Sequence, residues 1–367
     1  MSAQATSDGA VVTGEAIPKT MRAMVLNEVG GDFQLEERPV PTPGHGEVLI
    51  KVFAVGAGVT NELARDGVLG GSVPRIHGHE FSGAIVALGP GVGDWKLGDH
   101  VTCSFYVLCG TCEWCASGRE TLCENFGGFI GIAVHGAFAD YVALPAYNLI
   151  RIPDGVSLAD AGIVGDAVAT PYHVVTERLR MRAGERVAVI GGGGGLGVHM
   201  LQLIRAFGGV AIAVERDPVK AAQIEQRGLA DHVVVPDSSS WAEQVREVAG
   251  GRVAGVVDTV AGSATLQEGF SALGRAGTLV TLGHIPGSVL KVDPERLLME
   301  ELIVAGTRYA SRAEIARTMQ LVRLGRVTPI VGARLPLEEL NDALEMAHNA
   351  EVFGRIMIDV AEEIPST

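Results

Sequence analysis

The chain has 367 residues, of which 47% are hydrophobic and 20% are charged. This length exceeds one ordinary core and predicts two domains, and the composition excludes a disordered chain. The formal net charge of −14 opposes binding to nucleic acid or to anionic membranes. We therefore expect a small-molecule substrate, with no nucleic-acid partner and no membrane partner.

The first 20 residues contain no continuous apolar stretch of the kind that a signal peptide needs. No run in the chain approaches the ~18 apolar residues of a membrane helix. We interpret residues 1–20 as a flexible N-terminal tail and expect a cytoplasmic protein.

Short strands separated by turns predict a β-rich first part of the chain. Examples are Arg22–Leu26, Glu47–Val55 and Phe81–Leu88. The turn sequence Pro41-Thr42-Pro43-Gly44 lies between the first two of these strands.

All cysteines of the chain lie in one short stretch, which favours a metal site over a disulfide framework. Four of them have the spacing of a metal lobe, namely Cys109, Cys112, Cys115 and Cys123. An iron–sulfur run would continue with a three-residue gap and a Cys-Pro pair, whereas the last gap here is longer and no Pro follows. Four thiolates fill a tetrahedral zinc site, so we predict a structural zinc. Cys103 is predicted to be a buried core thiol.

The second part of the chain alternates apolar strands with helices. The predicted elements are Arg186–Ile190, Leu196–Phe207, Val210–Val214, Pro218–Arg227, Val253–Asp258 and Gly277–Leu282. Because strands that are apolar throughout must be covered on both faces, this alternation predicts a doubly wound parallel sheet of the α/β class. The final helix Arg312–Leu324 and strand Gly354–Ile358 are expected to rejoin the first domain.

A glycine-rich loop follows the first strand of this alternation. Within it, Gly192-x-Gly194-x-x-Gly197 fits the dinucleotide fingerprint, with Leu196 at the start of the helix whose N–H groups face the phosphates. Five successive glycines leave the register open by one residue.

The residues after the next strand indicate which dinucleotide is bound. Glu215 ends that strand, where a carboxylate holds the ribose hydroxyls and repels a 2′-phosphate. This favours NAD over NADP. Arg216 keeps NADP open, because an arginine accommodates that phosphate.

Taken together, Gly78-His79-Glu80, the cysteine lobe, the glycine loop and Gly354-Arg355 resemble the zinc-type medium-chain dehydrogenase/reductase superfamily. The resemblance implies a GroES-like catalytic domain formed by residues 21–165 and 309–367. It implies a Rossmann NAD-binding domain, residues 166–308, between them. It also implies a homodimer or homotetramer, for which the sheet edge near Leu302–Thr307 is a candidate contact.

In that superfamily a catalytic zinc has three protein ligands and an open position. The resemblance assigns His79 and Asp166 to two of these ligands. Gly58 stands where a cysteine thiolate is expected, and glycine has no donor atom. In one hypothesis Glu80 becomes the third zinc ligand. In the other the site holds no metal, and Thr60, His79 or Tyr172 handles protons directly.

The resemblance also implies further cofactor contacts. Gly283, His284 and Ile285 would lie against the nicotinamide, with Thr259 at the same sheet edge. Arg355 would contact the pyrophosphate. Thr60 would relay the proton of the substrate oxygen.

We therefore expect an NAD(H)-dependent oxidoreductase of the alcohol dehydrogenase type, which transfers a hydride between an alcohol or carbonyl substrate and the nicotinamide. If the catalytic metal is lost, the alternative is a 1,4-reductase of conjugated carbonyl compounds. The third hypothesis is a non-catalytic NAD(H)-binding protein. The presence of Thr60, Glu80 and Asp166 argues against it.

Overall fold

The computed structural model describes residues 11–13, 16–237, 240–283 and 285–361. In these ranges the strands are β1 (Val12–Thr13), β2 (Thr20–Leu26), β3 (Phe33–Pro39), β4 (Glu47–Ala57), β5 (Arg75–Ile76), β6 (Phe81–Leu88), β7 (His100–Cys103), β8 (Tyr141–Pro145), β9 (Leu149–Arg151), β10 (Arg186–Ile190), β11 (Val210–Val214), β12 (His232–Val234), β13 (Val253–Asp258), β14 (Leu273–Thr281), β15 (Ile303–Gly306), β16 (Val331–Pro336) and β17 (Arg355–Asp359). The α-helices are α1 (Val59–Arg65), α2 (Glu113–Ala116), α3 (Leu158–Ala161), α4 (Ala169–His173), α5 (Gly197–Ala206), α6 (Pro218–Gln226), α7 (Trp241–Val248), α8 (Ser263–Ala272), α9 (Pro294–Met299), α10 (Arg312–Arg323) and α11 (Leu340–His348).

The chain divides into two compact units. The first contains the described residues up to Asp166, together with Ala310–Arg323 and those from Val331 onward. The second contains Ala167–Tyr309 and Leu324–Ile330. No helix in the described part of the chain is both long enough and apolar enough to span a membrane.

The first unit is built on an eight-stranded sheet with the order β16-β17-β4-β6-β7-β9, in which β8 also pairs with β4 and β1 with β6. Strand β4 is buried at almost every position, since it has neighbours on both edges and core on both faces. Strand β17 pairs antiparallel with β4, with Ile356 opposite Ala57. The end of the chain therefore lies beside the residues that follow β4.

The segment predicted as a flexible tail contains one described strand. Val12 lies opposite Leu88 and Thr13 opposite Ala87, in an antiparallel pair between β1 and β6. Residues 1–10 and 14–15 lie outside the described residues.

The second unit is built on six parallel strands in the order β12-β11-β10-β13-β14-β15. Strand β10 is central, with Val189 opposite Ala213 on one side and opposite Val257 on the other. Its apolar residues are buried, because helices cover both faces of a parallel sheet. The doubly wound parallel sheet and the β-rich first part that the sequence predicts are both confirmed.

Candidate catalytic and cofactor sites

The four cysteines of the predicted lobe come together. Their sulfur atoms all lie within 4.8 Å of one another. The Sγ–Sγ distance is 3.5 Å for Cys109 and Cys123, and 3.9 Å for Cys109 and Cys115. Zinc–sulfur bonds of about 2.3 Å in a tetrahedron place the sulfurs about 3.8 Å apart. The thiols therefore fit one zinc ion with no open position.

Two backbone N–H groups donate hydrogen bonds to one of these thiols. The amides of Thr111 and Cys112 donate to Cys109 Sγ at 3.5 and 3.4 Å. These bonds stabilise the thiolate and lower the pKa of Cys109 to about 6.

An arginine from α10 holds the lobe in the first unit. The backbone N–H and Nε of Arg312 donate to the two carboxylate oxygens of Glu120, at 2.8 and 2.9 Å. Arg312 Nη1 also donates to the carbonyl of Tyr147, at 2.6 Å. Sequence analysis did not predict these contacts, because the pattern gives no sign of which distant arginine reaches the lobe.

Three of the predicted catalytic residues meet in the interior of the first unit. His79 and Glu80 precede β6, and Asp166 lies in a π-helical turn, Val164–Val168. His79 Nε2 lies 3.5 Å from Asp166 Oδ2. The backbone N–H of Asp166 donates to Glu80 Oε1 at 3.0 Å. All three side chains are buried.

Arg355 is the fourth member of this group, and its contact with a pyrophosphate stays a prediction. Its Nε and Nη2 donate to Glu80 Oε2, at 3.1 and 2.8 Å. Nη2 also lies 3.6 Å from Asp166 Oδ2. Arg355 is only 8% exposed, so this ion pair is well shielded from water. We call His79, Glu80, Asp166 and Arg355 the buried cluster.

Gly58, which precedes α1, lies directly against the guanidinium. A Cβ atom at this position would meet Arg355 Nη1 far inside contact distance and would lie 2.9 Å from Cζ. The backbone at Gly58 is extended, with φ at 178°, a conformation that any residue adopts. A larger side chain here would have to displace the guanidinium, whereas the backbone conformation itself would permit one.

These residues do not form a complete catalytic metal site as they are arranged. Gly58 offers no donor, and both oxygens of Glu80 are engaged by Arg355 and by the backbone of Asp166. In the described ranges, the four cysteines are the only group of three or more His, Cys, Asp and Glu side chains whose ligand atoms lie close enough for one metal. For Glu80 to become a third ligand, it would first have to leave Arg355.

Aromatic rings extend from the buried cluster. The ring centroids of His79 and Phe105 lie 4.1 Å apart, and Phe105 stacks on Phe129 at 4.6 Å. Thr60, the predicted proton relay, lies two residues after Gly58, on the first turn of α1. Phe105 was missed by sequence analysis, since nothing in the pattern distinguishes it from an ordinary core residue.

The glycine-rich loop lies in the second unit, between β10 and α5. A Cβ atom on Gly197 would meet the carbonyl oxygen of Gly191, and one on Gly192 would lie 3.0 Å from the Ala213 side chain. Helix α5 begins at Gly197, with Leu196 as its N-cap residue. A loop with such close backbone packing at Gly192 and Gly197, before a helix N-terminus, fits the pyrophosphate of a dinucleotide.

Glu215 lies at the end of β11 and faces this loop. Its Oε2 accepts a hydrogen bond from Gly193 N–H at 2.9 Å, and its Oε1 accepts one from Asp217 N–H at 3.0 Å. Arg216 is exposed. The buried carboxylate is thus fixed beside the loop, where a ribose would lie.

The other predicted cofactor residues of this unit lie at the carboxyl ends of β10, β13 and β14. Thr259 Oγ1 donates to the carbonyl of Ile190 at 2.7 Å, which joins β13 to β10. A Cβ atom on Gly283 would lie 2.7 Å from the carbonyl oxygen of Thr259. Ile285 is exposed. His284 lies outside the described residues.

Two family models match the chain. The alcohol dehydrogenase GroES-like domain matches residues 44–154, and the zinc-binding dehydrogenase model matches residues 195–323. An alcohol dehydrogenase of Moraxella sp. is 35% identical over 92% of this chain and 99% of its own length. An acryloyl-coenzyme A reductase of Sulfurisphaera tokodaii is 28% identical over 92% of this chain and 99% of its own length. The crystal structure of an NAD-dependent alcohol dehydrogenase superposes with a TM-score of 0.86 and 29% identity, over 93% of this chain and all of that one.

Proposed function

Because this chain belongs to the zinc-type medium-chain dehydrogenase/reductase superfamily and is an alcohol dehydrogenase-like oxidoreductase, we propose that it reduces carbon–carbon double bonds conjugated to a carbonyl group. The observation that carries this proposal is the incomplete metal site, in which Gly58 has no donor atom where the family's thiolate would stand and both oxygens of Glu80 are engaged. The alternative reaction of the sequence analysis thereby becomes the preferred one.

The chemical reason is the position of the developing charge. Hydride addition to a carbonyl carbon places a full negative charge on one oxygen, and a metal ion is the usual means of neutralising it. Addition to the β-carbon of a conjugated system spreads that charge over an enolate, so a weaker electrophile is sufficient. Bound NADH would supply the hydride, and a proton from His79 or Thr60 would complete the saturated product at the α-carbon.

The proposed cofactor is NAD(H). The support is Glu215, whose fixed carboxylate opposes the 2′-phosphate of NADP. The crystal structure of the similar NAD-dependent alcohol dehydrogenase agrees with this choice. The acryloyl-coenzyme A reductase among the relatives supports the reaction class, since its name describes reduction of a conjugated thioester.

A second candidate is reduction of the carbonyl itself with a bound zinc. The 3.5 Å approach of His79 to Asp166 favours it, because both are ligands in the family arrangement. The name of the Moraxella relative points the same way.

Product analysis separates the two candidates. The purified protein is incubated with cinnamaldehyde and NADH that carries deuterium at C4, and the product is analysed by NMR. Deuterium at the β-carbon of the saturated aldehyde is the expected result. Deuterium at the carbinol carbon of the unsaturated alcohol would support the second candidate and overturn the first.

The matched control for this experiment is Gly197→Val, since its side chain would collide with Gly191 and close the loop to NADH. Turnover by the parent protein and none by this variant would assign the activity to this site. If NADH binds by calorimetry but is oxidised with none of a panel of aldehydes, ketones and enones, the third hypothesis, a nucleotide-binding protein without turnover, is favoured.

A further inference from the structure

We propose that Glu62 and His348 are positioning residues, which connect helix α1 to helix α11 and so hold Thr60 in place for proton transfer. Glu62 lies on α1, two residues after Thr60, and His348 lies in the last turn of α11. Both helices belong to the first unit. The inference rests on the proposed function for the role of Thr60, whereas the contact between the helices does not depend on it.

Helix α1 is too short to be stable by itself. It has seven residues, and isolated helices shorter than about 12 residues are marginal in water. Its first turn is closed only locally, where Gly58 N–H donates to Asn61 Oδ1 at 3.1 Å. The buried residues of this described helix are Asn61, Glu62 and Ala64, of which only Ala64 is apolar. The position of α1 must therefore depend on polar contacts with other parts of the unit.

Two such contacts reach α1 from distant parts of the chain. The backbone N–H of Gly30 donates to the carbonyl of Arg65 at 2.8 Å. His348 Nδ1 lies 3.1 Å from Glu62 Oε2, a hydrogen bond in which the imidazole donates to the carboxylate. Because Arg65 is the last residue of α1, the contact closer in sequence to Thr60 is that of Glu62.

Helix α11 is a firm support for this contact. Its residues Leu340, Ala343 and Leu344 are fully buried in the core of the first unit. Asn341 Nδ2 donates to the carbonyl of Phe33 at 2.9 Å, and Asn341 Oδ1 accepts from Phe33 N–H at 3.0 Å. The helix also packs on β4 and β17. A group that bonds to α11 is thereby fixed relative to the sheet of this unit.

The charge of Glu62 makes this contact one of position more than of stability. Glu62 is 6% exposed, and its Oε1 is buried without a hydrogen-bond partner among the described residues. Burial raises the pKa of Glu62, and the opposing effects of His348 and Arg65 are smaller. The carboxylate is thus incompletely compensated, and an apolar side chain of similar size would be less costly to bury. We therefore assign to the pair the placement of α1.

Loss of the imidazole should displace α1. Without its partner, the Glu62 carboxylate is stabilised by turning toward water, and a short helix can follow it. A small shift of the Thr60 hydroxyl slows proton transfer, because this step requires atoms about 3 Å apart. The glycine loop and Glu215 lie in the second unit, so we expect KM for NADH to be unaffected.

Turnover of cinnamaldehyde with NADH tests the positioning role. His348→Ala changes a side chain that is 72% exposed, so the core stays intact. We expect kcat to fall about tenfold while KM for NADH stays within about twofold. The matched control is Asn349→Ala, because exposed Asn349 lies at the same end of α11 and donates to Glu351. An unchanged kcat in His348→Ala, or an equal fall in the control, would overturn the proposal.

A second substitution separates positioning from a general loss of contact. Glu62→Gln keeps the size of the side chain and removes its charge, and an amide is much less costly to bury than a carboxylate. In His348→Ala/Glu62→Gln, α1 should therefore return to its place, and kcat should recover to within about threefold of the parent value. No recovery in this double variant would count against the proposal. A melting temperature for each variant shows that kcat is measured on folded chains.

Hydrogen exchange followed by mass spectrometry tests the same contact without turnover. The amides of α1 should exchange about tenfold faster in His348→Ala than in the parent, and the double variant should restore their protection. Amides of α5, in the second unit, are the internal control and should not change. Unchanged exchange in α1 would refute the inference even where the enone is reduced. If the parent reduces no enone, the proposed function fails, and the exchange of α1 alone decides this inference.

Discussion

At the scale of single residues, the carboxylate of Glu215 carries the prediction of which cofactor binds. Two backbone N–H groups, from Gly193 and Asp217, fix its oxygens at 2.9 and 3.0 Å. A carboxylate held in this way accepts hydrogen bonds from ribose hydroxyls and cannot turn aside for a phosphate. Its position could be predicted from the sequence, because the interval between glycine loop and acidic residue follows from the local βαβ geometry.

We expect Glu215→Ser to shift the cofactor preference toward NADPH. Removing the negative charge while exposed Arg216 remains should raise the ratio of kcat/KM for NADPH to that for NADH by at least about tenfold, or about 1.4 kcal/mol. Steady-state kinetics with both cofactors measures this ratio. Glu225→Ser, on the exposed face of α6, is the matched control and should leave the ratio unchanged. An unaltered ratio in Glu215→Ser would contradict the assignment.

The position of Arg355 could not be predicted from the sequence in the same way. The motif Gly354-Arg355 indicated a cofactor arginine, but its contact with Glu80 depends on β17 pairing with β4, a long-range event. Gly58 was recognised as a missing ligand. Its contact with the guanidinium became visible only from the strand pairing.

At the scale of elements, the bounds that the sequence predicts are accurate where an apolar run ends at glycine or at a turn. Strands β6, β10, β11 and β13 have the predicted bounds. Strand β14 begins at Leu273 instead of Gly277, with a register irregularity opposite β13. The intervening residues include Ala276 at a positive φ of 57°. Because this stretch resembles a turn, the sequence pattern did not predict that the strand begins before it.

His199, a buried residue on α5, connects the glycine loop to the segment Leu324–Ile330. Its Nδ1 donates to the Gly195 carbonyl at 2.7 Å, and its Nε2 accepts from Ile330 N–H at 2.9 Å. These two bonds require the neutral ring with its proton on Nδ1. They explain why this segment belongs to the second unit, although the sequence analysis placed it in the catalytic domain.

We therefore expect His199→Ala to raise KM for NADH about fivefold, corresponding to about 1 kcal/mol for a lost hydrogen bond, while kcat changes little. The physical reason is a less ordered loop around the pyrophosphate. The control is Gln202→Ala, because Gln202 bonds Thr328 in the same segment but does not contact the loop. If both variants raise KM equally, the effect comes from the segment and not from the loop.

We expect the order of the cysteine lobe to depend on a metal. Cys112→Ser should abolish zinc binding and lower Tm, since the free energy of zinc binding contributes to folding. Elemental mass spectrometry and a thermal scan check both effects on one sample. Cys103→Ala is the matched control, because this buried thiol lies outside the lobe and should leave the zinc content unchanged. Retained zinc in Cys112→Ser would contradict the assignment of the four ligands.

At the scale of the whole molecule, the order of the motifs was sufficient to predict a β-rich part and a doubly wound sheet. Each motif is local, and its spacing reports the strand, turn and helix around it. The assembly of copies is different, because it depends on surfaces that leave no such local pattern. A homodimer or homotetramer therefore stays a prediction, and it can be argued from the edges of the parallel sheet.

Strand β15 is one edge of that sheet, and it exposes Ile303 by 53% and Val304 by 40%. An exposed apolar edge strand is a template for pairing, so we expect the edges of two copies to join. Ile303→Lys should then lower the molar mass measured by light scattering on a sizing column, because a charge at the contact would have to be buried. Val235→Lys beside β12, at the opposite edge, changes a residue of 43% exposure and should leave the mass unchanged. Loss of assembly in Val235→Lys alone would move the contact to the β12 edge.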